Sequence, residues 1–229
     1  MTTRSVADCL HPKKGTPPGR PYDAVKGIGI AAIAIPGVHG QSIAHAGILY
    51  RWKKLEVRLF EMRNHKELRD VPAPPDFVWV EPAIPPERMR LVISRARLVY
   101  DCHKKNAVPY GFGYRTSAFD EKGGFRIGDG EIGFTCSTIV AAILESERLK
   151  LIDPTAWPAP DSADKQTRQA YLEYLQTTDP AHAKLLATDI ESPRISPEEV
   201  VAAAAMHPEV GTYDTLQDGA AHVRQRIGT

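Results

Sequence analysis

The sequence predicts an α+β protein in which an antiparallel sheet packs on one apolar helix, with further helices from the last third of the chain. Strand-like segments gather between Lys26 and Val80, a long Gly-rich stretch then leads into a strongly apolar helical segment at Phe134 to Leu149, and the remainder reads as helix. That order, strands first and helices after, separates the chain from an alternating β/α pattern.

The elements follow from the N-terminus. Residues 1–25 are rich in Pro, Gly and Lys without apolar periodicity and read as a loose arm wrapping or leading into a domain spanning 26–229. Lys26 to Pro36 (KGIGIAAIAIP) is a run of small apolar residues closed by Pro and Gly, most simply a buried strand. Ala44 to Trp52 and Leu55 to Arg63 flank Lys53 and Lys54 and form a hairpin. A short strand at Phe77 to Val80 follows the Pro-rich Val71 to Pro75, and Pro85 and Pro86 open a helix from about Glu87 to Lys105. Asn106 to Gly133 holds too many glycines for a helix and is a long loop, the kind that is usually functional or disordered. Phe134 to Leu149 has helical apolar spacing, and Thr135 can cap its start. A helical extension from about residue 153 opens with a linker, WPAPDSADK, and offers three or four amphipathic helices; one starts at Ser196-Pro197-Glu198-Glu199, where cap, proline and acids stand in order.

Composition excludes several classes. With 42% hydrophobic and 25% charged residues the chain is an ordinary globular one, and a formal net charge of +1 with interspersed signs argues against nucleic acid as a partner. No segment is long and apolar enough to span a membrane, and the first residues lack the apolar core of a signal peptide, so the expectation is a protein cytoplasmic as synthesised, exported only by a route that uses no such signal. Three cysteines, Cys9, Cys102 and Cys136, are too few and too irregular for a disulfide framework or a zinc site, and no metal or organic cofactor is expected.

Cys136 stands at the start of the apolar helix, where unpaired backbone N–H groups and the positive end of the helix dipole favour a thiolate. The plain alternative is a small buried cysteine. His45 lies within an otherwise apolar strand and is followed by Gly47 two residues on, which leaves room for another group. Along the next strand Leu55, Val57, Leu59 and Glu61 share a face, so a carboxylate falls where an apolar residue is due and needs a partner. A three-residue hairpin loop with Arg51 opposite Leu55 sets His45 opposite Glu61, at about 5 Å between Cβ atoms; a two-residue loop sets them on opposite faces. Tyr110, Gly111 and Thr135 on the approach to Cys136, with Gln41 in the turn before the histidine strand, are the candidate substrate and oxyanion contacts. Tyr110, Phe112, Tyr114, Phe119 and Phe125 together fit one wall of a cleft.

These pieces, His45-Ala46-Gly47-Ile48, Leu59-Phe60-Glu61, Val108-Pro109-Tyr110-Gly111 and Phe134-Thr135-Cys136-Ser137-Thr138-Ile139-Val140, together resemble the permuted branch of the NlpC-type papain-like cysteine hydrolases, in which the histidine strand precedes the cysteine helix. The resemblance covers roughly residues 26–150. It implies a papain-like fold with Cys136 as nucleophile, His45 as base and Glu61 as the residue orienting the base. It also implies acyl chemistry on a peptide-like or acyl substrate: an amide bond in a peptidoglycan peptide or protein conjugate, as in a secreted antibacterial effector, or a lipid acyl group as in the lecithin retinol acyltransferase kind. An inactive binding domain is the third class. The arm and the segment from Pro154 to Pro193 have no counterpart in the family, and substrate choice is expected there.

Other features carry less. Gly27-Ile28-Gly29-Ile30 imitates a dinucleotide fingerprint but has no preceding strand and no βαβ unit. Cys102 is spaced with Leu91 and Leu98 as core, His39 is a loop histidine, and Asp129 between two glycines is a turn residue.

Overall fold

The chain from Ile28 to Val80 folds into one five-stranded antiparallel sheet. The computed structural model describes residues 5–12, 22–37, 42–53, 56–104, 108–115, 118–126 and 132–229. The strands are β1 (Ile28–Pro36), β2 (Ser42–Lys53), β3 (Glu56–Asn64), β4 (Glu67–Pro72) and β5 (Val78–Val80), in the spatial order β4-β3-β2-β1-β5. Each central strand is covered on both faces, which is why β1 reads as an unbroken apolar run: Ile28, Ile30 and Ala32 join the main core, while Ala31 joins a second cluster with Leu49, Leu59 and Trp79.

Strand β4 was not expected. Its only buried residue is Leu68, and it ends at Pro72, so neither alternation nor composition marks it. An edge position makes that sequence acceptable, because an outward-facing residue needs no ladder N–H. The turn into it is His65-Lys66, with Lys66 at φ 57, and lacks the glycine that usually announces a hairpin.

Seven α-helices are described: α1 (Val6–Cys9), α2 (Pro86–His103), α3 (Cys136–Ser146), α4 (Ser162–Thr178), α5 (Pro180–Leu186), α6 (Pro197–Met206) and α7 (Tyr213–Ile227). Helix α3 packs on β2 and β3, and α6 on β1 and β2. The start of α6 is the one read from sequence: Ser196 N–H donates to Glu199 Oε2 at 2.7 Å, and Glu199 N–H donates back to Ser196 Oγ at 3.2 Å. Its small residues from Val200 to Ala204 are all fully buried, so the helix axis lies close to the sheet. None of the described helices is long and apolar enough to cross a membrane.

The described parts of the first 25 residues wrap onto the domain: Val6 and Leu10 are buried, His11 pairs with Trp79 through backbone bonds of 2.7 and 2.9 Å, and Tyr22 and Val25 cover the sheet face opposite α3. One reading is corrected here. On α2 the buried stripe is Met89, Val92, Ala96 and Val99, whereas Leu91, Leu98 and Cys102 are exposed. The heptad spacing was real, but helical rotation turns the neighbouring stripe to the core.

Candidate active site

Helix α3 starts on a reciprocal cap. Thr138 N–H donates to Thr135 Oγ1 at 3.1 Å, and Thr135 N–H donates to Thr138 Oγ1 at 2.8 Å. Cys136 therefore occupies the first helical position, where a backbone N–H has no partner within the helix. The Ala46 N–H and the His45 imidazole both lie close enough to the Cys136 sulfur to favour its thiolate, and Ser137 Oγ lies 3.9 Å away.

His45 and Glu61 are each only 3% exposed, and His45 Nε2 is 2.6 Å from Glu61 Oε2. That contact leaves Nδ1 as the nitrogen that faces the thiol. The hairpin achieves the pairing by a different route from the expected one. Arg51 pairs with Val57 rather than with residue 55, a bulge falls between Arg51 and Lys53, and the ladder runs to Ile48 opposite Phe60. Continued, it sets Gly47 opposite Glu61 and His45 diagonal to it. Gly47 makes the diagonal contact feasible, since a Cβ there would lie 2.6 Å from Leu59 Cδ1 and 2.9 Å from Phe60 O.

The three groups shift one another. Burial opposes an imidazolium at His45, but the Cys136 thiolate and the Glu61 carboxylate outweigh it and push its pKa up to about 9. Burial likewise opposes charge on Cys136 and Glu61, yet the adjacent imidazolium holds both below their ordinary values. Arg63 and Arg69, the latter 3.9 Å from Glu61, add to the effect on the carboxylate.

The loop before α3 runs beside the segment that enters the helix. Gly111 N–H donates to Phe134 O at 3.1 Å and Phe134 N–H to Pro109 O at 3.1 Å. A Cβ at Gly111 would sit 2.4 Å from Gly133 O, so the glycine permits this close approach. Its N–H is thereby spent, and Gly111 is no oxyanion donor. Thr135 lines the cleft, but both its N–H and its hydroxyl serve the cap. Gln41, like His39 and Asp129, lies outside the described residues.

Tyr110 lines the same cleft as Cys136 and feels its charge; burial and that negative charge raise its phenol pKa. Two histidines hold its backbone: Tyr110 N–H donates to His65 Nδ1 at 3.2 Å, and His182 Nε2 donates to Tyr110 O at 2.7 Å. Phe112 also lines the cleft. Tyr114, Phe119 and Phe125 do not form the wall; Phe119 and Phe125 pack with Phe134, and Tyr114 donates to Glu145 Oε2 at 2.6 Å. Those rings find a drier place beneath the loop than at its rim.

The cleft has a volume of about 550 Å³, and its far wall is α4 with the start of α6: Arg168, Tyr171, Tyr174 and Arg194. Sequence reasoning located substrate choice in the region from Pro154 to Pro193 but named no residue there. The available signal was Arg168, an arginine on the apolar stripe shared by Leu172 and Leu175. No family model, curated protein or solved structure matches this chain.

Proposed function

We propose that the protein is a cysteine hydrolase of the permuted papain-like kind that cleaves an amide bond through a thioester. The observation that carries this reading is the buried line from Glu61 to His45 to Cys136, ending on a sulfur at a helix N-terminus inside a cleft. A thiol so placed is held as thiolate beside imidazolium, and an imidazole so held keeps one tautomer.

In the proposed reaction the Cys136 thiolate attacks the substrate carbonyl carbon, and the carbonyl π electrons move to oxygen. The Cys136 N–H, at the helix start, donates to that oxyanion, and Tyr110 lines the same cleft as a substrate contact. The tetrahedral intermediate collapses to a thioester as the C–N bond breaks, and His45 Nδ1 gives its proton to the leaving amine. Neutral His45 then takes a proton from water, whose oxygen attacks the thioester and releases the carboxylic acid and the thiolate. Glu61 keeps its charge throughout, holding Nε2–H and stabilising each imidazolium. A cleft of about 550 Å³ accommodates a peptide-like segment of the substrate.

The test is a screen of purified protein against peptidoglycan peptides, protein conjugates and acyl esters, with Cys136→Ala as control. Turnover of an amide that ends in Cys136→Ala, with a thioester trapped on Cys136 by mass spectrometry, is the expected result. Amide turnover that survives in Cys136→Ala contradicts the reading.

A further inference from the structure

Most charges around the cleft have partners of opposite sign among the described residues: Cys136 faces His45, Glu61 contacts His45, Arg69 is ion-paired with Glu67, and Arg194 with Asp164. Arg168 is only 4% exposed and has no carboxylate within ion-pairing distance among the described residues. Its Nη1 donates to Ile190 O and Ser192 O, each at 2.6 Å, while Nε and Nη2 donate to no described group. The guanidinium lies over the Phe112 ring, 4.8 Å from its centroid, and both residues line the cleft.

A buried, unpaired charge is expensive, and proteins retain one chiefly where a ligand completes it. Here burial pulls the guanidinium pKa down against the attraction of the more distant Asp164 and Asp189 carboxylates, and Arg194 adds repulsion. The Tyr110 hydroxyl links this corner to the nucleophile, since it lies in the field of Cys136, Arg194 and Arg168 together.

We propose that Arg168, flanked by Arg194 and the Tyr110 hydroxyl, is a carboxylate-binding subsite, so that the substrate carries a carboxylate a short way from the bond that Cys136 attacks. This rests on the reading of Cys136 as nucleophile. Asp164 is ion-paired with Arg194, and Asp189 is engaged by the Phe112 and Gly113 N–H groups and the Ser192 hydroxyl, so Arg168 keeps two donor nitrogens without an ion-pair partner among the described residues; that suits a monoanionic carboxylate and leaves a dianionic phosphate under-compensated. The planar fork of a guanidinium also matches a carboxylate in two-point contact.

Matched alkylating probes test the subsite without a known substrate. Wild-type protein is treated with N-iodoacetyl-glycine and its amide, and with the pair one glycine longer, and labelling of Cys136 is timed by mass spectrometry. N-iodoacetyl-aspartic acid α-amide, with its carboxylate on the side chain, distinguishes a side-chain acid from a chain end. For at least one geometry the acid is expected to react about tenfold faster than its amide, as one charged hydrogen-bonded contact predicts. In Arg168→Gln that ratio falls towards one, with Arg168→Lys between. Because Arg168 also ties α4 to the 190–192 turn, a second measurement stands apart from these variants. Cys136→Ala protein is titrated calorimetrically with N-acetyl-glycine and N-acetyl-glycinamide, and only the acid is expected to bind. Equal rates for acid and amide at every geometry, together with no preference for N-acetyl-glycine, overturn the subsite. Failure of neutral iodoacetamide to label Cys136 preferentially instead overturns the nucleophile, and the calorimetric comparison then still decides the subsite.

Discussion

Replacing Glu61 by Gln keeps the shape of the site and removes one charge. In the wild type the carboxylate sits 2.6 Å from His45 Nε2 with both groups 3% exposed, so solvent screens the contact little. A hydrogen bond to a charged group in such a place is worth about 1.5–3 kcal/mol. One pKa unit corresponds to about 1.4 kcal/mol, so the imidazolium loses about one to two units of support. The sign follows: Glu61 raises His45, so its removal lowers it, from about 9 into the range of about 7–8. The thiolate–imidazolium pair exists above the depressed pKa of Cys136 and below the raised pKa of His45, and Glu61→Gln therefore narrows that window from its alkaline side. The assay is the rate of Cys136 alkylation by iodoacetamide across pH, in which the alkaline step marks loss of the imidazolium. An alkaline step that stays near pH 9 in Glu61→Gln refutes the coupling derived from the geometry.

Two further outcomes follow. Gly47→Ala brings a Cβ to 2.6 Å from Leu59 Cδ1 and 2.9 Å from Phe60 O, of which the second is backbone and cannot yield; the expected cost is about 1–3 kcal/mol, read as a lower Tm in thermal unfolding, and an unchanged Tm contradicts the packing. His65 and His182 are held below the ordinary histidine value, first by burial, and also by Lys66 and, for His65, by the other histidine, against an opposing pull from Asp179. Their folded pKa values lie below the unfolded one, so the stability they contribute is present above about pH 6.5 and is lost as pH falls through the folded values. Unfolding midpoints followed from pH 7 to 5 should fall, with a shallower slope in His182→Gln, whose amide can still donate to Tyr110 O; equal slopes refute the account.

What was legible in the sequence was local. Thr135 before Cys136, and Ser196-Pro197-Glu198-Glu199, announce helix starts through rules that act over four residues. Glu61 was conspicuous because a carboxylate replaced an apolar residue in an alternating strand, and Gly47 because it left space near His45. Features that depend on distant packing were hidden. The bulge between Arg51 and Lys53 shifts the register without a glycine to mark it, and the diagonal placement of His45 and Glu61 follows from it. Strand β4 pairs along an edge on charged residues and a proline, which alone read as loop. Arg168 stands out only as an arginine on the apolar stripe of α4, and it takes the packing of α4 beside the Cys136 cleft to make it part of the site. The aromatic loop divided for the same reason: Tyr110 is gripped by His65 and His182, which lie far away in sequence, while Phe119 and Phe125 find Phe134.

The central claim is that Cys136 is a thiolate held by His45, and selective alkylation tests it most directly. Native protein is treated with limiting iodoacetamide at pH 5.5 to 6, and each cysteine is quantified by mass spectrometry. Cys102 is exposed and Cys9 half-buried, so accessibility alone favours Cys102. The account predicts that Cys136 is labelled at least about tenfold faster than either, because the adjacent His45 imidazolium holds its sulfur as thiolate, and that His45→Ala abolishes the advantage. Labelling led by Cys102, or a Cys136 advantage that survives in His45→Ala, contradicts it.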